Sequence, residues 1–169
     1  MKEDYHIDMS GRIYEGKNIG VAFFVPATKK HKGCALKGNL IKYIQKNLCQ
    51  NSVDDEYAKL YAIIIFLLIK EDLDRIKSLI ICNDENFVYV KKYLFKLIGE
   101  NIDFEIKNIT EFRQIFGRKI KSPADNFANC YRRRALNKNK WQNGKSLNVV
   151  QITFQEINNI WNTIKNKSE

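Results

Sequence analysis

The sequence predicts an α/β domain whose mixed sheet opens with antiparallel strands, continues with parallel ones, and carries helices packed on it. Three observations point that way. Two short strand-like runs come first, at Tyr5–Ser10 and Asn18–Val25, the second rich in Val, Ile and Phe. A long apolar run with helical spacing follows, from Ser52 to Lys70. Compact apolar runs then alternate with helical ones to about Leu136. Strands first and strands alternating with helices later imply one sheet that changes from antiparallel to parallel pairing.

In order along the chain, Tyr5–Ser10 is a short strand carrying Asp8, and a glycine-containing turn leads to the strand Asn18–Val25, which Pro26 ends. Ala27–Gly38 reads as a basic loop or hairpin tip. Leu40–Leu48 reads as a third antiparallel strand, although its apolar spacing also suits a short helix. Ser52–Lys70 is the clearest helix: Ser52 caps it, Asp54 to Glu56 suit its positive end, and Tyr57, Leu60, Ile64 and Leu67 recur on one face. Lys77–Cys82 is a strand bounded by Asn83 and Asp84, Glu85–Ile98 a helix stopped by Gly99, and Asp103–Ile109 an alternating strand. Ser122-Pro123-Ala124-Asp125 opens a helix that reaches about Leu136. After a basic stretch from Asn137 to Lys145, Thr153-Phe154-Gln155-Glu156 forms a capping box before the helix Phe154–Lys165.

Composition limits the possibilities. At 169 residues, with 44% hydrophobic and 12% aromatic residues, the chain is of single-domain size and too apolar for a disordered protein. Its net charge of +10, from 29 Lys and Arg against 19 Asp and Glu, favours capture of polyanions, and nucleic acid is the expected partner. The four cysteines show neither zinc-ligand spacing nor a disulfide framework, which points to a reducing compartment. The polar N-terminus does not read as a secretory signal, and the longest apolar run, Leu60–Ile69, is too short to span a bilayer. A cytoplasmic protein is expected.

Two acidic residues stand where the fold would not place them for its own sake. Asp8 lies inside a strand, where Asp is disfavoured. Asp84 follows the last apolar residues of a predicted parallel strand, the carboxyl end where open α/β sheets bind ligands. Carboxylates on neighbouring strands repel unless a cation lies between them, so a divalent ion such as Mg²⁺ accounts for both. The bland alternative is that Asp84 caps the next helix and Asp8 faces solvent.

Over roughly residues 5 to 136 the sequence resembles the ribonuclease H family. His6-Ile7-Asp8-Met9-Ser10-Gly11 is similar to the family's first-strand motif, an aspartate followed by small residues. Ile80-Ile81-Cys82-Asn83-Asp84-Glu85-Asn86-Phe87-Val88 resembles its apolar strand, aspartate and aromatic-plus-valine helix start. Ala124-Asp125-Asn126-Phe127-Ala128 resembles the Ala-Asp-x-x-Ala opening of its last helix. The resemblance implies a ribonuclease-H-like domain over residues 1–136. Residues 137–169 lie outside it, as a basic linker and a C-terminal helix whose apolar stripe of Ile157, Ile160, Trp161 and Ile164 is expected to pack on that domain, with a dimer contact as the alternative. It also implies that Asp8, Asp84 and Asp125 hold two Mg²⁺ or Mn²⁺ ions for phosphodiester hydrolysis of RNA in an RNA–DNA hybrid or a structured nucleic acid. The family's fourth carboxylate is a glutamate in a pattern like Ala-Glu-Leu-x-Ala; here the matching run is Ala58-Lys59-Leu60-Tyr61-Ala62, with lysine in its place. The family's mobile histidine near the last aspartate has no counterpart. Two readings follow. Glu56, one turn before Lys59 on the same helical face, completes the carboxylate set. Alternatively, the domain is a catalytically degenerate module that binds nucleic acid or a protein partner. A junction-resolvase-like or transposase-like nuclease is a third, more distant reading.

Three basic clusters extend the nucleic-acid expectation. Lys29, Lys30 and Lys32, with His31, lie at the predicted hairpin tip; Arg118 and Lys119 precede Asp125. Arg132, Arg133 and Arg134 lie on the Asp125 helix, followed by Lys138, Lys140 and Trp141. Arginines fork onto phosphates and a tryptophan stacks on a base, while phosphate contacts carry no sequence readout.

Overall fold

The structure, a computed structural model, describes residues 1–50, 53–99, 102–111, 122–134 and 147–166. Five strands form one mixed sheet in the order β3-β2-β1-β4-β5. They are β1 (Glu3–Ser10), β2 (Ile19–Val25), β3 (Lys30–Leu36), β4 (Ile76–Ile81) and β5 (Glu105–Asn108). β2 runs antiparallel to both β1 and β3, whereas β1, β4 and β5 pair in parallel. The predicted change from antiparallel to parallel pairing is thus present.

The helices are α1 (Gly38–Leu48), α2 (Val53–Ile69), α3 (Phe87–Ile98), α4 (Asp125–Arg134) and α5 (Phe154–Asn166). They divide between the two faces of the sheet. Alternate residues of the strands, among them Tyr5, Ile7, Met9, Val21, Phe23, Leu79 and Ile81, join α2 in the main core. The residues between them face α4, where Ala22 packs on Ala128 and Tyr131. Strand periodicity alone therefore sends Tyr5, Ile7 and Met9 to one face and Asp8 to the other.

α4 lies unusually close to β2. A Cβ built on Gly20 would sit 2.3 Å from the Ala128 carbonyl oxygen, so only glycine leaves room for the helix backbone there. Gly33 serves the same purpose under the Tyr131 ring, 2.5 Å from where its Cβ would be.

Two expectations are corrected. Leu40–Leu48 is not the third antiparallel strand but lies in helix α1, with Ile41 and Ile44 buried on its inner face. The third strand lies earlier, in the stretch read as a basic loop, of which only the residues between β2 and β3 form the turn. Two features hid it: Gly33 interrupts the apolar alternation, and its lysines suit an edge strand as well as a loop. Lys30 pairs with Asp72 at 2.6 Å and Lys32 with Glu71 at 2.9 Å, so these charges anchor β3 to the turn after α2.

Other local readings hold. The helix read as Glu85–Ile98 stops at Gly99 as expected but starts at Phe87, where Asn86 caps it, its side chain accepting from the Val88 N–H at 3.1 Å. Thr153 and Glu156 form the capping box at the start of α5. The stripe Ile157, Trp161 and Ile164 is buried in the main core, so α5 packs on the domain. Ser52, the expected cap of α2, lies outside the described residues. Among the described residues no helix is long and apolar enough to cross a membrane.

Candidate metal centre

Register brings Asp8 and Asp84 together. Ile7 pairs with Ile81, and the ladder runs one step further, with the Cys82 N–H donating to the Ile7 carbonyl at 3.1 Å. Asp84, two residues on, arrives beside the end of β1. The Met9 N–H donates to Asp8 Oδ1 at 2.8 Å and to Asp84 Oδ2 at 3.3 Å, so one backbone donor serves both carboxylates. One ligand atom from each of Asp8, Cys82 and Asp84 lies within 4.8 Å of the other two.

Asp125 approaches from α4. The Ser122 hydroxyl accepts from the Ala124 N–H at 3.2 Å, and the Ser122 carbonyl accepts from the Asp125 N–H at 3.1 Å, which fixes the first turn. Because α4 is held against β2 at Gly20, that turn overlies the end of β1. Asp8, Cys82, Asn83, Asp84, Ile109, Ser122 and Asp125 line one cavity of about 300 Å³. Asp125 completes its wall without joining the tight Asp8–Cys82–Asp84 group.

Charge is concentrated there. Burial, and then the neighbouring Asp8, push the Asp84 carboxyl up to about 7. Burial also raises Asp8, opposed by hydrogen bonds with Cys82, Asp84 and Ser122. The Cys82 thiol is held far above its ordinary range by burial and by Asp8, so it stays protonated at neutral pH. Glu85 is pushed up to about 7, chiefly by burial, with Arg12 opposing and Asp54 reinforcing.

Asp84 does not cap α3, because Asn86 does. Nor does Asp8 face solvent, at 6% exposure. The expected lysine of α2, Lys59, turns away from the aspartates. Its Nζ lies 4.1 Å from the Trp161 ring centre, in a second cavity of about 280 Å³ that Asp55, Glu56 and Tyr93 also line. Glu56 is therefore brought to that second cavity and not to the aspartates. Tyr61 of α2 is packed in the main core. It is fully buried, its hydroxyl has no hydrogen-bond partner among the described residues, and Asp84, Cys82 and Asp8 reinforce the effect of burial in raising its pKa.

Of the basic residues singled out from the sequence, Lys29 is an exposed turn residue at φ 57°, and Lys30 and Lys32 are engaged in ion pairs. Arg133 is exposed on α4 and Arg132 is half-buried. Arg134 ends α4, and nothing is described of its side chain; Arg118, Lys119, Lys138, Lys140 and Trp141 lie outside the described residues. Sequence reading missed Arg12, whose Nη1 donates to the Asp84 carbonyl oxygen at 2.9 Å. Its only signal was a cation directly after the glycine turn that follows the aspartate strand.

No family model matches the chain, and comparison with curated proteins and with solved structures finds no match.

Proposed function

We propose that the chain is a divalent-metal-dependent endonuclease of ribonuclease H type, which hydrolyses phosphodiester bonds of RNA in an RNA–DNA hybrid or a structured nucleic acid. The observation that carries this reading is the convergence of Asp8, Asp84 and Asp125, from β1, the end of β4 and the start of α4, on one cavity. The strand order β3-β2-β1-β4-β5, with α4 on the face opposite α2, supports a ribonuclease-H-like fold.

The donor set fits Mg²⁺ or Mn²⁺. It is dominated by hard carboxylate oxygens, with the Asn83 amide and Ser122 hydroxyl close by, and the Cys82 sulfur is a soft donor that such hard ions do not favour. Asp8 and Asp84 would share one ion, with Asp125 serving a second. Bound ions supply Lewis acidity toward the phosphate and a more acidic water. The chain itself contributes orientation: the shared Met9 N–H fixes both carboxylates, and the Ser122 turn fixes the third.

Cleavage of labelled hybrid, duplex RNA and branched DNA with Mg²⁺ or Mn²⁺ tests the reading. Cleavage abolished by Asp84→Asn supports it; no cleavage of any substrate, or cleavage indifferent to that change, removes it.

A second reading, a catalytically degenerate module that binds nucleic acid or a protein partner, is favoured by one observation: Glu56 and Lys59 of α2 line the second cavity, so α2 adds no carboxylate to the described lining of the aspartate cavity. Titration with Mn²⁺ discriminates, since binding of two ions at the aspartates is expected only of the nuclease.

A further inference from the structure

Gly11 sits at φ 93°, and a Cβ there would meet the Asn18 carbonyl oxygen at 2.8 Å, so the chain leaves β1 through a turn that suits glycine alone. That turn carries Arg12 to the end of β4. Its Nη1 donates to the Asp84 carbonyl oxygen and lies 3.7 Å from Asp84 Oδ1. One part of the guanidinium is thereby held, while the side chain stays 46% exposed and keeps further N–H donors for a ligand.

Arg132 reaches the same turn from the opposite layer. A Cβ built on Gly11 would lie 3.4 Å from Arg132 Nη1. Two arginines from different layers thus approach the Gly11 turn, from which Arg12 reaches the lip of a cavity whose described lining contains three carboxylates and no cation. A polyanion approaching such a cavity is repelled unless fixed cations hold it. The planar guanidinium grips phosphate oxygens in pairs, and one anchored in advance loses less freedom on binding.

We propose that Arg12 and Arg132 form a phosphate fork at this lip, gripping a backbone phosphate of the nucleic acid adjacent to the one that faces the aspartates. The identity of the polyanion rests on the nuclease reading; the grip on phosphate does not. Arg12 owes its place to the β1 turn and α4 supplies Arg132, so the fork exists only when both layers are assembled on the sheet.

Fluorescence anisotropy with a short labelled RNA–DNA hybrid in EDTA reads binding without cleavage. Arg12→Ala and Arg132→Ala should each weaken binding roughly tenfold and lower the salt-dependence slope by about one. Arg12→Lys should recover part of the affinity. Lys46→Ala, at an exposed position on α1, serves as the control. If Arg12→Ala fails to fold by circular dichroism, Arg12→Gln keeps a donor for the Asp84 carbonyl while removing the charge. A double Arg12→Ala/Arg132→Ala variant that binds like Lys46→Ala overturns the fork. Loss of binding in these variants, in a protein that cleaves nothing with any metal, would retain the fork and dismiss the nuclease.

Discussion

Two cavities of nearly equal size flank the carboxylates of this protein, and they are opposites. The cavity of about 280 Å³ under α5 contains Asp55 and Glu56, but Lys59 lies among them on the Trp161 ring, Lys92 lies 3.8 Å from Asp55, and the Tyr93 hydroxyl donates to Asp55. Its charge is compensated from within. The cavity of about 300 Å³ at the ends of the interior strands β1 and β4 contains Asp8, Asp84 and Asp125 with no cation in its described lining, and Arg12 touches only its rim. Buried charge is costly unless paired, so a cluster with no balancing cation among its described lining residues calls for a further partner, whereas a balanced one secures packing.

Removing a carboxylate from each cavity should separate the two roles most sharply. Loss of a group that merely orients a metal ligand costs roughly 10–100-fold in activity, so Asp84→Asn should lower hybrid cleavage by at least about 100-fold. Glu56→Gln should leave the rate within a few-fold, as measured in the same cleavage assay.

The converse change probes the balanced cavity. Lys59→Glu restores the glutamate of the resembling family, yet its side chain would join Asp55 and Glu56 beside Trp161 instead of the aspartates. The expected result is a loss of stability of about 3–5 kcal/mol in urea unfolding, with no gain in cleavage per folded molecule. A rise in metal-dependent activity would break the distinction between the cavities.

The acidic cavity should also make stability depend on pH. The Asp84 carboxyl lies near 7 in the folded chain against an ordinary value of 3.8. Its pKa is raised on folding, so the stability it contributes is complete below the ordinary value and is lost as pH rises through about 7. Without metal, the melting temperature should therefore fall across that window, and less so in Asp84→Asn. Mg²⁺ should raise it more above pH 7 than below, because a metal ion replaces the proton. The smallest effect belongs to the balanced side: Thr153→Ala removes the α5 cap and should cost about 1 kcal/mol, without altering metal binding.

Much of this was legible in the sequence because it depends on short-range rules. The strand carrying Asp8, the strand ending before Asp84, the Ser122 helix start and the Thr153–Glu156 box are all set by residues within a few positions of one another. The third strand was not legible. Lys30 and Lys32 make sense in β3 only once Asp72 and Glu71 are beside them, and Gly33 only under the Tyr131 ring. The orientation of α2 was equally hidden. Its apolar residues surround the helix, so periodicity did not tell that Glu56 and Lys59 would line the second cavity and not the aspartate cavity.

Calorimetric titration of the metal-free protein with Mn²⁺, repeated on Asp84→Asn and Glu56→Gln, tests the central claim most directly. Strong binding to the unaltered chain and to Glu56→Gln, lost in Asp84→Asn, is the predicted result. Equal binding by all three proteins, or loss only in Glu56→Gln, would contradict it.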